Sequence, residues 1–256
     1  MTKERFKELM EPIARGLFGP QGTNRYQRPH FEVRALEVML QDLVDIDPID
    51  WYQYVFTREP LNGKFNDEQR KAYMEKAWKC GCEYAEKIKN LYGTDNPETI
   101  AKEMGMQVGY PTYPDKTDRV MFAEFREPNK INIYMDAVNK AKRFLAKPEI
   151  QLVLKGRLNV VRVLLAHELF HAVEEKYKKE IYTRCEKTRL WKVGFLHNDS
   201  QIIILGEIAA MAFAATLTDL PYSPYILDVF LVYGYSPEEA SGLYEEIMDY
   251  LGREKH

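Results

Sequence analysis

His167-Glu168-Leu169-Phe170-His171 sets two imidazoles four residues apart around a carboxylate. On a helix, residues at i and i+4 stack on one face, so both rings can reach one divalent cation from a rigid backbone. That is half of a tetrahedron. Glu168, one position along, then lies beside the open side of the ion, where a carboxylate can take a proton from a water the cation has acidified. The competing reading is two core histidines and a buried acid. The run before the motif, Val160, Val161, Val163, Leu164, Leu165 and Ala166, is apolar. Burying imidazoles and a carboxylate there without partners is costly, and a metal removes that cost. The expected ion is zinc.

A catalytic zinc takes a third protein ligand. The metzincin extension is excluded, because Glu174 stands where that pattern needs Gly and Tyr177 where it needs His. The candidates are Glu207, His197, Cys185, Asp199, Glu174 and Glu175. Glu207 leads them, being the single charge between Gln201 and Thr218. A lone carboxylate in an apolar helix is expensive unless it meets a cation; otherwise it is a structural buried acid. His197, in the stretch Gly194 to Ser200 between the two metal-bearing helices, is a candidate donor to the oxyanion formed at a carbonyl, or else a solvated loop histidine.

These residues need rigid elements to position them. Apolar spacing predicts helices over Lys3 to Leu17, Phe31 to Val44 and Asp67 to Leu91, the last opening after Asn66 and closing at Gly93. Asn96-Pro97 opens a short helix through Met104. Met106 to Tyr110, Arg119 to Arg126 and Lys130 to Met135 then read as strands of a small antiparallel meander. Further helices are expected over Ala137 to Leu145, Leu158 to Lys179, Ile202 to Leu217, Tyr225 to Tyr233 and from Ser236-Pro237 to Leu251, with a polar loop before Ile202. Trp51-Tyr52-Gln53-Tyr54-Val55-Phe56 is read as core, with a substrate groove as the alternative. The chain divides softly near residue 93, into a helical region 1–93 packed on the core and a domain 94–256.

The chain has 256 residues, 36 basic and 39 acidic side chains and a net charge of −3. With 45% hydrophobic and 29% charged residues it is an ordinary globular composition. The missing basic excess argues against direct nucleic-acid binding. Cys80, Cys82 and Cys185 are too few for a disulfide framework and are expected reduced and buried. The first twenty residues carry charges without an apolar core, so no signal peptide and a cytoplasmic location are expected. Gln201 to Thr218 is long enough to suggest a membrane span, but its Ala content and lack of anchors favour a buried helix.

The second half resembles the ImmA/IrrE-type zinc metallopeptidases over about residues 94 to 220. The likeness rests on Thr99 to Val108, the extended Lys130 to Met135, Leu164-Leu165-Ala166-His167-Glu168-Leu169 with His171, and Glu207 ahead of Ala212-Phe213-Ala214-Ala215-Thr216-Leu217. It departs at Phe170, where the family has Gly, and at Ala209-Ala210-Met211, where the family has an EAN-like triplet. The resemblance implies an α+β zincin-like fold and a gluzincin-like site, with His167, His171 and Glu207 on zinc and Glu168 as general base. It further implies a bacterial, phage or mobile-element protein acting on a regulatory protein, often a helix-turn-helix repressor. The leading expectation is a zinc-dependent endopeptidase. A zinc-binding regulatory or interaction module without turnover is the alternative, and a membrane-embedded protease a third reading.

Overall fold

A computed structural model describes residues 31–113, 121–193 and 196–255. The helix expected over Lys3 to Leu17 lies outside them. The first elements are α1 (Leu36–Val44), α2 (Tyr52–Phe56), α3 (Asp67–Tyr92) and α4 (Pro97–Glu103). Strands β1 (Gln107–Gly109), β2 (Ala123–Arg126) and β3 (Lys130–Ile133) follow, then α5 (Met135–Leu145), α6 (Pro148–Val153) and α7 (Val160–Lys176). The chain continues through α8 (Tyr182–Cys185), β4 (Lys187–Val193), β5 (Leu196–Gln201), α9 (Ile204–Thr218), α10 (Ile226–Tyr233) and α11 (Pro237–Leu251). The class is α+β, mostly helical with small sheets.

Helix α3 begins where local chemistry stops the preceding chain. Asn66 accepts from the Gln69 N–H at 2.8 Å and the Gln69 side chain accepts from the Asn66 N–H at 3.0 Å, a reciprocal cap that satisfies two donors the helix cannot. The helix ends on Gly93 at φ 66°, a left-handed conformation that glycine adopts without strain. Its main partner is α9. The two backbones approach so closely that a Cβ on Gly81 would overlap the carbonyl oxygen of Ala209 and sit 2.7 Å from the Ala212 Cβ. The alanines of α9 therefore serve a tight helix crossing. Among the described residues, no helix is long and apolar enough to cross a membrane. Gly81→Ala is expected to destabilise the fold by about 1–3 kcal/mol through overpacking, read from the urea midpoint; an unchanged midpoint would contradict so close a crossing.

The other flank of α9 packs on α7, which is buried nearly all round and capped by the Asn159 side chain accepting from the Arg162 N–H at 3.0 Å. Beyond α7 lies a three-stranded sheet in the order β1-β3-β2. The expected antiparallel meander is corrected here: β3 is central, pairing antiparallel with β2 but parallel with β1. β3 has two edges to offer, and β1 takes one of them in parallel while β2 takes the other. Met135 opens α5 rather than extending β3. The polar loop before α9 is an antiparallel hairpin, β4 with β5.

One apolar cluster runs from Leu36 in α1 to Met248 in α11. In the described chain the helices before residue 93 share that core, with α3 central to it. Trp51, Tyr54, Val55 and Phe56 are buried in it. Cys80 is buried, Cys82 half-buried and Cys185 exposed, and all three are free thiols; α8 carries Cys185 at the surface, against the expectation of burial.

Candidate metal centre

Glu207 sits in the first turn of α9, where unpaired N–H groups favour a carboxylate. The start of that helix is held from a distant segment: buried Glu59 accepts from the Ile204 N–H at 3.0 Å. The preceding residue, Arg58, is also buried and donates to Asp228 of α10 and to the Tyr54 hydroxyl, its cation lying 4.7 Å above the Tyr54 ring. Consecutive residues after α2 thus tie down both α9 and α10. Nothing in the local sequence marks them, because each acts on a partner far along the chain.

Across from α9, α7 presents His167 and His171. Their Nε2 atoms are 3.3 Å apart. Glu207 Oε2 lies 3.3 Å from His167 Nε2, and Oε1 3.7 Å from His171 Nε2. Donors held at about 2.0–2.1 Å from one ion at the tetrahedral angle are separated by about 3.3–3.4 Å; the two ring nitrogens and the Oε2–His167 approach match that spacing, and the carboxylate reaches His171 through its other oxygen at the longer 3.7 Å. Among the described residues these side chains form the one group of His, Cys, Asp or Glu that converges in this way. Glu207 Oε2 is buried, with the His167 ring nitrogen 3.3 Å away but without the geometry of a full hydrogen bond, a place where a cation would satisfy both groups.

The electrostatics describe a place for positive charge. Burial opposes the charge on His171, yet the carboxylates of Glu207, Glu174 and Glu168 outweigh it and lift the imidazole to about 9. Burial likewise resists ionisation of Glu207, but His171 and His167 hold its carboxyl down at about 2. Glu168 is pushed up by burial, against the pull of both histidines and with the repulsion of Glu207. The residues present fit a divalent cation.

The trio opens on a cavity of about 210 Å³. Glu168 lines it without joining the three converging donors. Apolar walls come from Val163, Leu164, Met211, Leu227 and Leu231, and one side is the continuous run Phe122, Ala123, Glu124 and Phe125. Asp228 also lines it, linking the cavity to Arg58. Glu124 is anchored by Asn132 at 3.0 Å, by Arg126 at 2.8 Å and by the Tyr134 hydroxyl.

No family model, curated protein or solved structure matches this chain.

Of the residues singled out in the sequence, the fold brings together His167, His171 and Glu207, with Glu168 beside them. It does not bring His197. That residue lies on β5 with its side chain 47% exposed, paired with Asp199 at 3.5 Å, and neither lines the cavity. The oxyanion role expected for His197 is therefore corrected: the hairpin carries it away from the site, and it is the solvated histidine of the alternative reading. Asp199 is engaged by Arg189 at 2.9 Å, Glu175 pairs with Lys178 at 2.5 Å, and Cys185 is at the surface. Glu174 is near the centre but on the Nδ1 side of His171, at 3.9 Å. Glu124 and Phe125 belong to the strand expected over Arg119 to Arg126, one of the two edge strands offered for holding a substrate backbone, whereas Asp228 has no signal in the sequence, since a buried ion pair joins residues at no fixed spacing.

Proposed function

We propose that the chain is a zinc-dependent endopeptidase of zincin type, with His167, His171 and Glu207 holding the ion and Glu168 as general base. One observation carries this reading: two imidazoles and a carboxylate that converge closely enough to share one ion, with a further buried carboxylate beside them on an open cavity. When bound, the ion supplies Lewis acidity, acidifying water and polarising a carbonyl. Glu168 takes the proton of the attacking water and delivers it to the amine nitrogen as the C–N bond breaks. Its burial supports a basic carboxylate, and the Phe125 backbone N–H, facing it, orients it.

A peptide suits the cavity better than a small ester or amide. Side chains of a strand alternate between faces, so a wall made of four consecutive residues, Phe122 to Phe125, is a strand presenting its edge. Among the described residues β2 pairs only with β3, and its outer edge is available for strand addition by an extended substrate. The apolar walls around Leu164, Met211 and Leu231 receive an apolar side chain. The likeness to ImmA/IrrE-type peptidases favours a regulatory protein, such as a helix-turn-helix repressor, as the source of that peptide. A zinc-binding module without turnover is the lesser reading, because a purely structural site has no use for Glu168 beside an open cavity.

Metal analysis of the purified protein and of Glu207→Ala tests the centre. About one equivalent of zinc is expected in the wild type, with the variant losing most of it. Equal zinc in both would take Glu207 out of the ligand set.

A further inference from the structure

A second buried carboxylate stands behind the centre. Glu174 lies one turn beyond His171 on α7 and is 5% exposed. Its Oε1 accepts from the Thr183 hydroxyl at 2.5 Å, and its Oε2 lies 3.1 Å from Arg184 Nη2 and 3.9 Å from His171 Nδ1. The α8 segment thus clamps the carboxylate in place against the ring. On its other side α9 passes with Gly206, the residue before Glu207, where a Cβ would lie 3.0 Å from Oε1 and 3.5 Å from Oε2. A side chain at that position would displace the carboxylate. Gly206 has an ordinary helical conformation, so its lack of a side chain serves the space and not the backbone.

A neutral imidazole has one N–H and one lone pair, and the partner of one nitrogen decides which role the other plays. We propose that Glu174 is a positioning residue for the metal centre: its carboxylate, held 3.9 Å from Nδ1 of His171, favours the proton on that nitrogen and leaves the Nε2 lone pair for the cation, and Gly206 is the gap that gives the carboxylate its place. Because α7 supplies Glu174 and His171 while α9 supplies Gly206 and Glu207, the same contact sets the distance between the two ligand-bearing helices. This rests on the reading of His167, His171 and Glu207 as a metal site.

The test is zinc affinity of the full chain, measured by competition with a chromophoric chelator, for wild type, Glu174→Ala, Glu174→Gln, Thr183→Val and Gly206→Ala. Alongside it run the melting temperature without metal and the visible absorption of the cobalt(II) form. Glu174→Ala is expected to lose about 10–100-fold in affinity and to shift the cobalt bands. Glu174→Gln, which keeps an acceptor oxygen, is expected to recover most of that loss. Gly206→Ala and Thr183→Val, which leave the carboxylate present but displaced, are expected to fall between. A mere structural prop would lower the metal-free melting temperature and leave affinity and cobalt spectrum at wild-type values, which overturns the proposal. Should Glu174→Ala fail to fold, wild-type affinity in both Gly206→Ala and Thr183→Val overturns it equally. A wild-type chain that takes up neither ion brings down the metal centre and this proposal together; one that binds zinc, indifferent to all four substitutions, brings down this proposal alone.

Discussion

Glu168→Gln is expected to keep its zinc and to lose about 10²–10⁴-fold in peptide turnover, the range a positioned general base contributes. That loss corresponds to about 3–5 kcal/mol of barrier. The amide matches the carboxylate in size, and Glu168 is not one of the three converging donors, so the centre is expected to survive. What disappears is the group that accepts the proton of the attacking water. The measurement is single-turnover cleavage of a verified peptide, at equal metal content in both proteins. Wild-type turnover would remove Glu168 from the mechanism, whereas loss of zinc would make it a ligand.

Arg58→Ala is expected to cost about 3–5 kcal/mol of stability, the range for breaking a buried ion pair from one side. The substitution strands Asp228, which is 3% exposed and lines the cavity. Burial already pushes the Asp228 carboxyl up, and Arg58 is the main influence holding it down. Without the guanidinium the folded protein retains a proton there above the ordinary carboxylate range. The folded state then binds more protons than the unfolded one, so stability of the variant is expected to fall as pH rises above the ordinary carboxylate range. Urea unfolding at several pH values reads both effects. Arg58→Met combined with Asp228→Leu is expected to restore most of the loss, since an apolar pair has no charge to strand. A cost for the single variant within about 0.5 kcal/mol, as for an ordinary surface site, would deny the pair its role in fixing α10.

The helices were legible wherever their limits are set within a few residues. Asn66 and Gln69 cap α3 from inside its own first turn, and Gly93 ends it, so its expected and observed limits nearly coincide. The apolar runs of α7 and α9 were equally plain. The sheets were not. Strand pairing is a choice among distant partners, and β3 takes β1 in parallel as well as β2. The β4–β5 hairpin escaped notice because it is largely exposed and carries Lys187, Arg189 and Asp199 with no buried face to impose alternation. Mistaking it for a loop is what placed His197 near the chemistry.

Two imidazoles and a carboxylate on one helix follow from covalent geometry alone, and the single acid of α9 stood out because charge in an apolar helix must be compensated. The sequence by itself therefore determined which side chains are equipped to hold an ion and which to accept a proton. Only the tertiary structure decided that Glu207 comes within 3.3 Å of His167, that Glu174 faces the far nitrogen of His171 and that Phe122 to Phe125 line the cavity. Those relations join segments far apart in the chain, and they are set by how the whole core packs, with Gly81 and Gly206 fixing how near α9 can come, which no short stretch of residues encodes.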